Sequence, residues 1–87
     1  MIANLPRYKL RHGMISLAEI PIGIEFTVNH VAAGWRAKTR LANLGIVPGS
    51  KVVKTRSAPL FGPVQVKVKG SNLIIGRGLA RRIFGKT

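Results

Sequence analysis

Acid–base catalysis needs a titratable side chain held within reach of a second one. This chain has few to offer. Its acids are Glu19 and Glu25 and its histidines are His12 and His30. Neither histidine has a partner one helical turn away, and the spacing of the four residues favours no metal-ligand set. There is no cysteine, which excludes disulfides, thiol nucleophiles and thiolate metal sites. Ser16, Ser50, Ser57 and Ser71 have no His–acid pair around them that would make a nucleophile. Gly76-Arg77-Gly78 begins like a dinucleotide-binding GxGxxG, but the third glycine and the βαβ setting are absent. The residue types therefore predict no enzyme, no resident cofactor and no metal site.

What the chain holds in quantity is positive charge. Fifteen Lys and Arg against two acids give +13 over 87 residues. The basic residues group at 7–11, 36–40, 51–56, 67–69 and 77–86. Self-repulsion on this scale opposes a compact state, so an anionic partner is expected. Nucleic acid, an anionic membrane surface and an acidic protein face all qualify. A second candidate surface is the loop Pro59-Leu60-Phe61-Gly62-Pro63. Its two prolines stiffen it, and Leu60 and Phe61 stand at a tip that is ordinarily polar. Two readings stay open: Phe61 plugs the core from above, or it anchors a partner.

These residues need elements to hold them. With 46% hydrophobic residues the chain is too apolar for a disordered basic tail, and 87 residues suffice for one domain. Residues 1–13 read as a mobile basic arm and 14–87 as the domain. No apolar run approaches the ~20 residues of a membrane span, and no secretory signal follows the basic start, so a cytoplasmic location is expected.

Met14–Ile20 reads as a short strand ending at Pro21 and Gly23. In Glu25–Val31, alternation places Phe26, Val28 and His30 on one face and Glu25, Thr27, Asn29 and Val31 on the other. Gly34–Leu44 is the one helical candidate, with Ala37, Leu41 and Leu44 as its apolar stripe. Gly45 suits a left-handed cap, with Ile46 packing back on Leu41.

Lys51–Ser57 is the next strand. Val64, Val66 and Val68 then alternate with outward Gln65, Lys67 and Lys69. Gly70-Ser71-Asn72 reads as a turn before Leu73-Ile74-Ile75. Gly76–Arg82 has room for one helical turn, and Ile83-Phe84 for a last strand. Five or six short strands and one short helix predict an all-β fold, a small closed barrel.

Two motifs in this order resemble a known family. Arg40-Leu41-Ala42-Asn43-Leu44-Gly45-Ile46-Val47-Pro48-Gly49 is similar to the R-L-x-x-L-G-(L, I or M)-x-P-G stretch of the ferrous iron transport protein A (FeoA) family. Ala58-Pro59-Leu60-Phe61-Gly62-Pro63 is similar to that family's A-P-x-x-G-P. Val64, Val66, Val68, Gly70, Leu73, Ala80 and Ile83 follow in family order, so the likeness runs from about Ile15 to Phe84.

The resemblance implies a small SH3-like β-barrel and a non-enzymatic role. The chain would be a cytoplasmic accessory protein docking on the GTPase part of a membrane ferrous iron transporter. Leu60 and Phe61, with Arg36, Lys38 and Arg40 on the helix, would make that contact. The alternative is a basic SH3-like nucleic-acid-binding module, opposed by how many of Tyr8, Phe26, Trp35, Phe61 and Phe84 read as core. A third possibility joins the first: the basic face lies on an anionic membrane surface while the loop holds the transporter. Lys54 departs from the family, standing where its strand is apolar, and Gly76 and Gly78 replace charged residues.

Overall fold

The computed structural model describes residues 14–87. The expected arm, with His12 and Tyr8, lies outside them. In chain order the elements are β1 (Ile15–Ser16), β2 (Glu25–Val31), α1 (Trp35–Asn43), β3 (Lys51–Ser57), β4 (Val64–Val68), β5 (Ser71–Ile75), α2 (Arg77–Ala80) and β6 (Ile83–Lys86). The strands form one antiparallel sheet in the order β1-β6-β2-β3-β4-β5.

The all-β reading holds, but the sheet is not closed. Among the described residues no ladder joins β1 to β5. The sheet still curls around one core. Ile15 of β1 and Ile75 of β5, on opposite edge strands, share a buried cluster with Phe26, Val28, Val52, Val66 and Ile83. A two-residue edge strand offers too little backbone to complete a ring, yet too little to recruit a stray strand either.

Local chemistry explains where each element stops. Leu44 caps α1, and Gly45 follows at φ 90°. The Gly45 N–H donates to the Ala42 carbonyl and the Ile46 N–H to the Leu41 carbonyl, both at 2.9 Å. This satisfies two of the helix's orphan carbonyls, and Ile46 joins Leu41 in the core. β4 and β5 join through Lys69 and Gly70, both left-handed, so Ser71 and Asn72 belong to the strand instead of the turn.

Other expectations need correction. The Met14–Ile20 strand shrinks to Ile15–Ser16, after which the chain turns. In β2 the buried residues are Phe26, Val28 and Val31, while His30 is exposed. The pairing with β6 slips between Val28 and His30, so a bulge at Asn29 moves everything after it to the opposite face. Of the stripe on α1, only Leu41 is buried, and Leu44 stays largely exposed. Lys54, counted with the surface charges, is buried in β3.

Candidate functional site

The loop between β3 and β4 is a tight turn. The Gly62 N–H donates to the Pro59 carbonyl at 3.1 Å, and the two residues between, Leu60 and Phe61, have φ of 57° and 62°. Both central positions are left-handed, a conformation that ordinarily selects Asn and Gly. A bulky residue held there costs on the order of 1–3 kcal/mol and persists only where its surroundings enforce it. Gly62 is required as it stands, since a Cβ there would lie 2.7 Å from that of Ala58. Leu60 is 93% and Phe61 78% exposed, so Phe61 does not plug the core.

Arg77, the first residue of α2, enforces the turn. Its Nε donates to the Gly62 carbonyl at 2.9 Å. Its Nη2 donates to Ser57 Oγ at 2.6 Å and to the Ala58 carbonyl at 3.4 Å. One guanidinium thus ties both limbs of the loop to the sheet. Arg81 lies over the Phe61 ring, with its Cζ 5.6 Å from the ring centroid, a cation–π contact.

A cleft opens beside this loop. Phe61, Arg77, Arg81, Phe84, Ser16 and Ala18 line it. Glu19 also reaches its rim. Behind Ala18 sits Lys54, whose Nζ donates to the carbonyls of Ala18 and Ile20, each at 2.9 Å. Burial, and after it the nearby charge of Arg77, holds the Lys54 ammonium below the ordinary lysine pKa.

Arg36, Lys38 and Arg40 are exposed on α1. Arg40 lines a separate, smaller hollow with Leu44, Ile74 and Leu79. The α2 segment borders both hollows, through Arg77 and Arg81 on one side and Leu79 on the other. The residues that brace and flank the loop are Arg77 and Arg81. Their four-residue spacing beside a short helical turn was the available signal, hidden inside a longer basic run.

The expectation that several aromatics are core is met by Phe26 and in part by Phe84. Of the four described, Phe26 is fully buried, whereas Trp35 is 80% exposed and Phe61 nearly as much. Phe84 is half-buried and stacks on His30, with centroids 6.5 Å apart. Among the described residues no three of His, Asp and Glu gather as a metal site, and no helix is long and apolar enough to cross a membrane.

Known proteins share this fold. The model of the FeoA domain family matches residues 15–87. A Methanocaldococcus jannaschii protein named for Fe(2+) transport, protein A, is 44% identical over 71 residues, spanning 82% of this chain and 84% of its own. A crystal structure of an iron uptake regulatory protein (FeoA) superposes with a TM-score of 0.77 at 30% identity, covering 84% of this chain and 96% of that one. The solution structure of FeoA from Chlorobium tepidum gives 0.74 at 36%, covering 79% and 66%.

Proposed function

Because this chain belongs to the FeoA family, we propose that it is a cytoplasmic accessory protein of ferrous iron transport. It performs no chemistry of its own and docks on the cytoplasmic GTPase part of a membrane Fe(II) transporter. The observation that carries this reading is the braced turn: two large apolar side chains are held outward, in a backbone conformation neither favours, by an arginine with three acceptors. Such a display is pre-ordered, so little freedom is lost when a partner closes on it. Calorimetric titration of the transporter's soluble cytoplasmic domain tests this. Phe61→Ala should weaken binding tenfold or more, and Arg36→Gln with Arg40→Gln severalfold. No binding by the unaltered chain overturns the reading.

A second reading, nucleic-acid binding, gains from the exposure of Trp35 and Phe61 beside arginines. Stacking platforms next to cations suit single strands. The Trp35 fluorescence, followed against short RNA and DNA at two salt concentrations, separates the readings. Tight binding that falls steeply with salt promotes the second. Anionic and neutral vesicles in the same assay report whether a lipid surface competes.

A further inference from the structure

We infer that the cleft between Phe61 and Phe84 is a receptor for an acidic, apolar segment of a partner protein, with Arg77 and Arg81 taking its carboxylates. This rests on the docking reading above and supplies its chemistry. Arg77 and Arg81 are four residues apart, one helical turn, a like-charge spacing that is unfavourable unless an anion lies between them. The three acceptors of Arg77 are all uncharged, so its orientation is fixed without its charge being neutralised by them. Arg81 is steered by the Phe61 ring. The ammonium of Lys54 stands directly behind the Ala18 wall. Two cations thus line a hollow whose lining holds one carboxylate, Glu19, and a third, Lys54, lies one hydrogen bond beyond it through Ala18. Burial and, after it, Arg77 disfavour the charge on Lys54, and an anion in the cleft would offset the repulsion from Arg77.

The walls decide which anion. Phe61 and Phe84 bound the cleft, and Leu60 stands exposed beside Phe61, so the site matches apolar side chains alternating with carboxylates. The loop turns its Ala58 and Gly62 carbonyls towards Arg77, the reverse of the converging N–H groups that cradle a phosphate. A second copy of this chain is a poor occupant, since it brings +13 and two acids.

Titration of the full chain by ¹H–¹⁵N NMR at about 0.15 M salt, a screened condition, tests the proposal. The probes are a capped Leu-Glu-Asp-Leu-Glu-Asp peptide, its Gln/Asn counterpart and inorganic phosphate. The acidic peptide should shift the Arg77 and Arg81 Nε–H signals and bind at least tenfold tighter than the neutral one. Arg81→Gln should remove that advantage, with an unchanged melting curve, while Lys67→Gln on the outer face of β4 should retain it. Glu19→Gln should tighten the acidic peptide severalfold. Equal binding of both peptides, indifference to Arg81→Gln, or phosphate binding as tightly as the peptide each overturns the proposal. Should the transporter domain bind in a Phe61-dependent way while the acidic peptide does not, docking stands and this inference alone falls.

Discussion

A lysine in the middle of β3 buries its ammonium because two carbonyl oxygens lie within its reach. Lys54 is 5% exposed and donates to Ala18 and Ile20, pinning the segment between β1 and β2 to the sheet. Lys54→Met keeps the volume but orphans both acceptors, so unfolding free energy should fall by about 1–3 kcal/mol in urea titrations. The pH dependence has a definite sign. Folding lowers the Lys54 pKa, so between that lowered value and the ordinary 10.5 the unfolded chain holds the extra proton. Stability therefore rises with pH across that interval as the burial penalty on the charged form disappears. The urea midpoint of the unaltered chain should climb towards alkaline pH more steeply than that of Lys54→Met; parallel curves would refute the assignment. None of this is legible from residue type. A lysine among 51–56 reads as surface, though the apolar residue the family has here and the two-residue step from buried Val52 both point inward, as does the pairing Lys54↔Val66.

The turn at 59–62 and the pairing of β2 with β6 show what sequence pattern conveys about elements and what it omits. Gly45 and the Val64, Val66, Val68 alternation carry their own signals, and cap and strand form where they point. The bulge at Asn29 adds a residue that no spacing rule marks, so everything beyond it was assigned to the wrong face. The turn was undecided because period does not apply to a loop; its geometry comes from Arg77, fifteen residues from Gly62. If the turn serves binding, optimising it for stability should damage binding. Replacing Leu60 and Phe61 by Asn and Gly suits two left-handed positions and should raise stability by about 1 kcal/mol. It should also abolish transporter docking; melting and titration on the same protein check both. Gly85→Ala tests the other element. Its Cβ would fall on the Thr27 carbonyl oxygen and 2.8 Å from Phe26 Cζ, so β6 must move off β2. A loss of about 3 kcal/mol is expected by denaturant titration.

Taken as one body, the protein carries its charge around a single core. With two acids against fifteen cations, like-charge contacts dominate at any distance within a Debye length. Moving from about 0.01 M to about 0.15 M salt shortens that length from about 30 Å to about 8 Å. The midpoint of thermal unfolding should then rise by roughly 4 °C or more, while affinity for an acidic partner falls. A midpoint indifferent to salt would mean the charges are already compensated. The strand pairing has a separate consequence. Ile15 lies opposite Gly85, so the polypeptide enters and leaves the domain roughly 5 Å apart, one strand's width. A unit with such a single doorway can be spliced into a loop of a larger host as a side branch, without stretching the host and without threading through it. The cleft beside the loop shares that neighbourhood, since Ser16 and Phe84 are themselves a paired step of the doorway. A tether joined at Ile15 or at Gly85 would start beside that cleft.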